Sequence, residues 1–241
     1  MVQIAHNDYK IRVFCDSASI QDMHDYASNN AITGFTSNPT LAKNAGISNY
    51  LDFAKAAATA CGHKEISIEV IADENSEMIR QASLLAKIAG NISVKIPVTN
   101  SKGVSTTPVV EELVKEGIRV NVTAVFSLKQ ATEMLKVLSP ATSGILSVFA
   151  GRIADTGIDP IPHVREIVEI RNDLAPSISL LWASPREPLN FIHAVESGSD
   201  IITMTPTLIL KVSAFGKDLE AFSLETVQMF TRDAKDSGFS L

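Results

Sequence analysis

Lys95 lies in Ile92-Ser-Val-Lys-Ile-Pro97, a short run in which both of its neighbours are apolar. Burial there favours the neutral amine, and a neutral amine in a dry pocket attacks a ketone or aldehyde to give a Schiff base. The competing reading is a lysine that reaches past the strand end, or one that pairs with an acid such as Glu69. Asp16 closes the apolar run that begins at Ile11. It offers either a carboxylate for general acid–base work or a cap for a helix starting near Ser19. Glu69, the charged residue in Ile66-Ser-Ile-Glu-Val-Ile71, either faces an interior or pairs with an interior cation, and both readings keep it near Lys95. Ser37-Asn38, Asn121 with Thr123, and Ser147 end or occupy other apolar runs. Asn38, placed just before Pro39, also fits a turn. Arg152 and Arg186, with the Ser184 hydroxyl, follow two successive runs, and planar guanidinium forks suit a phosphate. Alternatively they are surface arginines paired with Asp155 and Glu187.

The elements that must position these groups alternate between two kinds. Apolar, β-branched runs begin near Ile11, Ala31, Ile66, Ile92, Ile118, Gly144, Ile178 and Asp200. They recur about every 27 residues, which is room for a strand, a helix and two short loops. The expected helices are 75–89 with Asn75 as its cap, 108–116, 128–138, 160–171, 187–196 and 219–235. Gly117 and Gly198 follow helices where left-handed backbone is needed, and Pro39, Pro97, Pro160 and Pro206 are expected in loops beyond strand ends. Eight such βα units predict a (β/α)8 TIM barrel of the α/β class, one domain over 1–241 with a helical tail over 214–241. An open doubly wound sheet would show a glycine-rich phosphate turn after its first strand, where this chain has Cys15-Asp16-Ser17-Ala18. In a barrel the site is built at the carboxyl ends of the strands, and seven of the eight runs carry a polar group there, the last run being the exception.

Composition removes several classes of function. With 21 Lys and Arg against 27 Asp and Glu, the formal charge of −6 argues against nucleic acid as a partner. Cys15 and Cys61 form no Cys-x-x-Cys pair and the five histidines have no ligand spacing, so no disulfide framework or metal site is expected. Cysteine usage fits a reducing cytoplasm. No window approaches the roughly 18 uninterrupted apolar residues of a membrane span, so neither export nor anchoring is expected.

Taken in order, these residues resemble the transaldolase family, in particular its small-subunit branch, which also contains fructose-6-phosphate aldolase. The resemblance spans nearly the whole chain. It is carried by Asp16, Thr36-Ser-Asn-Pro-Thr-Leu41, Glu69, Val94-Lys-Ile-Pro97, Asn121-Val-Thr-Ala-Val-Phe-Ser127, Ser147-Val-Phe-Ala-Gly-Arg152 and Ala183-Ser-Pro-Arg186. It implies a cofactor-free transfer of a dihydroxyacetone unit between sugar phosphates, with Lys95 as the Schiff-base lysine. Glu69 and Thr123 would hold the water that shuttles protons during imine formation, and Asp16 would take the proton from the C4 hydroxyl of the ketose. Asn38 and Ser147 would steady the three-carbon enamine, while Arg152, Ser184 and Arg186 would grip the phosphate. Members that release free dihydroxyacetone carry a glutamine in place of Glu69 and a tyrosine in place of Phe149, so both residues point to transfer. Departures from the family pattern at Val148, Ala150, Ala154 and Pro185 surround the anion site and leave a sulfonated or otherwise modified sugar open. A catalytically silent barrel that binds a phosphosugar is the alternative from another class, although a pure binder has no use for Lys95 on an interior strand. The small-subunit relatives form rings of five or pairs of such rings, which implies a homo-oligomer, pentamer or decamer, joined through the Phe-rich tail.

Overall fold

The computed structural model describes residues 9–239. Eight parallel strands, β1 (Arg12–Asp16), β2 (Ile32–Thr36), β3 (Glu65–Glu69), β4 (Ile92–Pro97), β5 (Val120–Val125), β6 (Gly144–Val148), β7 (Ile178–Trp182) and β8 (Ile201–Met204), pair in chain order and close into a barrel. Around them run α1 (Ile20–Ala27), α2 (Pro39–Asn44), α3 (Tyr50–Ala60), α4 (Asn75–Ala86), α5 (Thr107–Lys115), α6 (Leu128–Leu138), α7 (Ala150–Ala154), α8 (Pro160–Leu174), α9 (Asn190–Glu196) and α10 (Pro206–Val212). A last helix, α11 (Leu219–Asp236), follows. The expected (β/α)8 barrel is therefore the architecture observed.

Successive strand residues face opposite sides, and here they feed two separate apolar clusters. Val13, Cys15, Phe35, Ile66, Ile68, Val94 and Ile96 belong to the layer between strands and helices. Phe14, Ile145, Leu181, Ala183 and Ile201 form a smaller cluster of their own. Toward the carboxyl ends of the strands the inward positions include polar ones, among them Asp16, Thr36, Glu69, Lys95, Thr123 and Thr203.

Several expected boundaries move. The first, second, fifth and eighth strands start one or two residues later than anticipated, and the third starts at Glu65, one residue earlier. Asn75 is the first residue of α4 rather than its cap: Glu74 holds the cap position, makes no capping bond, and has its carboxylate engaged by Lys102 at 2.9 Å. The helix also ends at Ala86, short of Ala89. The helix expected from Glu187 starts at Asn190, and that expected to end at Arg171 runs on to Leu174. Pro39, Pro160 and Pro206 are not loop residues but open α2, α8 and α10, where the missing N–H has no helical partner to lose. Pro97 is the last residue of β4. Gly117 and Gly198 do take left-handed backbone, at φ 72° and 80°. Cys15 and Cys61 are free and buried, and burial pushes the Cys61 thiol up to about 12. No helix among the described residues is long and apolar enough to cross a membrane.

Candidate active site

Register decides which side chains meet. Glu69 of β3 is level with Lys95 of β4, Lys95 is level with Asn121 of β5, and Asp16 of β1 is level with Thr36 of β2. Residues abreast on neighbouring parallel strands share a face, so a single alternation collects these groups inside the barrel. Lys95 is 6% exposed; its Nζ donates to the Ser37 carbonyl oxygen at 2.8 Å and lies 3.2 Å from Glu69 Oε2. Of the two readings of this lysine, the pairing with Glu69 is the one observed. The amine is buried, and it is also paired with the acid one strand away.

Asp16 accepts a hydrogen bond from Thr36 Oγ1 at 2.6 Å. Burial pushes its carboxyl above the ordinary range; the Lys95 charge and the Thr36 bond oppose that rise, and Glu69 adds to it. Asp16 is not the cap of α1, a place held by Ser19, whose side chain accepts from the Asp22 N–H. A buried ladder runs beside Lys95, in which Ser147 Oγ donates to Asn121 Oδ1 at 2.7 Å and Asn121 Nδ2 donates to Ser67 Oγ at 3.0 Å. Thr123 is buried, and its hydroxyl has no protein partner among the described residues. It is available to whatever enters the cavity.

That cavity, of about 420 Å³, opens at the carboxyl ends of the strands and is lined by Asp16, Glu69, Lys95, Thr123 and Ser147 within, and by Asn38, Phe149, Arg152 and Ser184 toward its mouth. Asn38 is both a wall residue and a turn former: its Oδ1 accepts from the Leu41 N–H at 3.0 Å and caps α2, which leaves its NH2 group for a ligand. The Arg152 guanidinium lies 5.7 Å from the centre of the Phe149 ring, and that ring packs against Phe126. Among the described residues two non-glycine residues have positive φ, Ala124 at 58° and Ser184 at 62°, and both line this cavity. Such backbone persists only where its surroundings hold it.

Arg186 is the expected site residue that the structure leaves out of the cavity lining. Its Nε and Nη2 both bond the Asp155 carboxylate at the end of α7, so for this arginine the surface-pair reading is the observed one. Asp155, half exposed, is held below the usual carboxylate range first by the Arg186 hydrogen bonds, with the Arg186 and Arg152 charges adding to the effect. Thr203 of β8, which is not among the residues expected from the sequence, lines the cavity and supplies the polar group missing from the eighth strand. Its alternation with the outward-facing Ile202 fits an inward face but, for a residue type common in strands, does not mark it out. Among the described residues no three His, Cys, Asp or Glu side chains cluster so as to hold a metal ion.

Comparison with known proteins finds related chains. Residues 13–241 match the model of the family described as Transaldolase/Fructose-6-phosphate aldolase. A probable transaldolase of Dehalococcoides mccartyi is 32% identical over 84% of this chain and 90% of its own length. One of Hyphomonas neptunium is 34% identical over 96% of this chain and 100% of its own. Solved structures with low identity share the fold, among them a putative lyase/mutase from Burkholderia cenocepacia at TM-score 0.60 and 10% identity, covering 97% of this chain and 87% of that one. A thiamine phosphate pyrophosphorylase from Pyrococcus furiosus gives 0.56 and 13%, covering 85% and 93%. With the family model matched over residues 13–241 and relatives of this kind along nearly its whole length, the chain belongs to the transaldolase/fructose-6-phosphate aldolase family.

Proposed function

We infer that this protein transfers a dihydroxyacetone unit from a ketose phosphate, such as fructose 6-phosphate or sedoheptulose 7-phosphate, to an aldose phosphate through a Schiff base on Lys95. The observation that carries the reading is the buried Lys95 amine 3.2 Å from Glu69, in the cavity that also holds Asp16. In this mechanism Nζ attacks the C2 carbonyl, and the carbinolamine loses water to give a protonated imine. Glu69, within reach of Nζ, exchanges protons as that nitrogen changes state, with a water held against the Thr123 hydroxyl. Asp16 takes the proton from the C4 hydroxyl, the C3–C4 bond breaks, and its electron pair moves into the imine as an enamine while an aldose leaves. The enamine then attacks an acceptor aldehyde, Asp16 returns the proton, and hydrolysis frees Lys95. The protonated imine is the electron sink, and it does what an unassisted ketone cannot.

Phe149 favours transfer over release of free dihydroxyacetone, because the ring in the cavity wall has no hydroxyl with which to protonate the enamine. The direct test is borohydride added with saturating fructose 6-phosphate. Peptide mass spectrometry should find a reduced three-carbon adduct on Lys95, and an unmodified Lys95 peptide would reject the mechanism. Without an acceptor aldehyde, dihydroxyacetone should not accumulate; its steady release would instead identify a lyase.

Arg152 is the guanidinium facing the cavity, so it should carry the substrate phosphate. A charge-assisted bond of about 1.5–3 kcal/mol corresponds to roughly a 10–100-fold rise in KM for a phosphorylated ketose in Arg152→Ala. Arg186→Ala, which disrupts a half-exposed pair with Asp155, should change KM by less than about threefold. Steady-state kinetics of the two variants decide this, and equal losses would place both arginines on the phosphate.

The tail reading belongs to the same proposal. Helix α11 has no buried residue, and Leu219, Phe222, Leu224, Val227 and Phe230 are exposed along it. An uncovered apolar surface of this size seeks a partner, and a second copy of this chain is the occupant we assign. Light scattering at micromolar concentration should return a multiple of the chain mass, whereas the mass of one chain would remove the assignment.

A further inference from the structure

The polar group of the eighth strand has a task that the mechanism above leaves unassigned. Thr203 is 5% exposed, and its Oγ1 lies 2.5 Å from Thr36 Oγ1. The two threonines come from β8 and β2, the strands that flank β1, with Thr203 level with Phe14 and Thr36 level with Asp16. A hydroxyl has a single proton to give. Thr36 gives its proton to Asp16 Oδ1 at 2.6 Å. The proton between the two threonines must therefore come from Thr203, and the chain runs in one direction: Thr203 to Thr36 to Asp16.

We propose that Thr203 is a positioning residue, whose hydroxyl commits the only proton of Thr36 to the Asp16 carboxylate and so holds that carboxylate aimed and ready to accept a proton. Without Thr203, the Thr36 hydroxyl is free to turn. It also loses the polarisation that a donor behind it provides, since hydrogen bonds in series strengthen one another at low dielectric. The charged groups acting on Asp16 are Lys95 from β4, which favours the anion, and Glu69 from β3, which opposes it. Neither is touched by a change at position 203. Burial disfavours the anion, so weakening the Thr36 bond moves the Asp16 titration upward.

The base role of Asp16 rests on the aldol reading, but the placement of its proton does not, and the test separates the two. In the full-length protein, carbon-13 at the aspartate side-chain carboxyl reports the Asp16 titration, with Asp16→Asn assigning the signal. Thr203→Val, which keeps the shape and removes the hydroxyl, should raise the midpoint by about one pH unit, and Thr203→Ser should return it to the wild-type value. The low-pH limb of kcat/KM should move with it, while borohydride labelling of Lys95 stays at the wild-type level. If Thr203→Val does not fold, Thr203→Ala gives the same reading. An unshifted Asp16 midpoint in the hydroxyl-free variant, or a midpoint that Thr203→Ser fails to restore, overturns the proposal. A wild-type protein that forms no Lys95 adduct would refute the aldol reading, and the titration would still judge Thr203.

Discussion

Lys95→Ala should abolish borohydride trapping and lower transfer at least about 10³-fold, the scale on which loss of a covalent nucleophile is felt. Alanine removes two things together, the nucleophile and the cation beside Glu69 and Asp16. Lys95→Arg separates them. It keeps a permanent positive charge facing both carboxylates, but a guanidinium that never deprotonates cannot form the imine. Arginine should therefore be as inactive as alanine, form no adduct, and melt closer to the wild type. The alanine variant, left with two carboxylates and no local cation, should lose more stability, and its Asp16 should titrate higher still because the Lys95 charge that opposes the effect of burial is gone. Turnover within tenfold of wild type in either variant would mean that the carbonyl is activated by something other than this amine.

How much of this was legible in the sequence depends on whether a residue contradicts its surroundings. Lys95 and Glu69 stand out because a charge inside an apolar strand conflicts with its local pattern, and such conflicts mark functional positions. Their pairing is less visible, because it depends on the β3–β4 register, a relation between segments that the period of either strand leaves undetermined. Thr203 shows the opposite problem. Threonine is an ordinary strand residue, so its polar inward face raises no flag until β8 is known to close on β1. Arg186 illustrates a third case. Both of its possible partners were apparent, an anion in the mouth or a carboxylate nearby, and only the fold brings Asp155 at the end of α7 against it. Helices were missed where they are short or begin in a way that reads as a turn. Asn38-Pro39 looks like a loop, yet Asn38 caps α2 and Pro39 occupies its first turn. The residues of the cavity wall at positive φ, Ala124 and Ser184, carry no sequence signal at all, since neither is a residue type that favours that backbone.

The same mouth sets the second large effect, at Gly151. A Cβ placed there would lie 1.6 Å from the Ser184 carbonyl oxygen and 2.6 Å from its carbon. Both are backbone atoms, so no side chain can swing aside, and Ser184 already sits at positive φ. Glycine is needed because the start of α7 presses directly on the loop after β7, where the Gly151 N–H donates to the Ala183 carbonyl at 3.3 Å. Gly151→Ala must therefore push α7 and this loop apart, at a cost near or above the roughly 3 kcal/mol of severe overpacking. At about 2–4 °C per kcal/mol in a chain of this size, the melting temperature should fall by about 6–12 °C. Because α7 carries Arg152, and the loop carries Ala183 and Ser184, the displacement also widens the end of the cavity assigned to the phosphate. The rise in KM for a phosphorylated ketose should approach that of Arg152→Ala, while borohydride labelling of Lys95 at saturating substrate persists. Gly90→Ala is the control: its Cβ would meet nothing within 4 Å and its backbone is not left-handed, so it should change stability by less than about 0.5 kcal/mol. A Gly151→Ala protein that melts with the wild type and binds the ketose equally well would show that α7 and the β7 loop do not touch as described, and the single-guanidinium anion site would lose its structural basis.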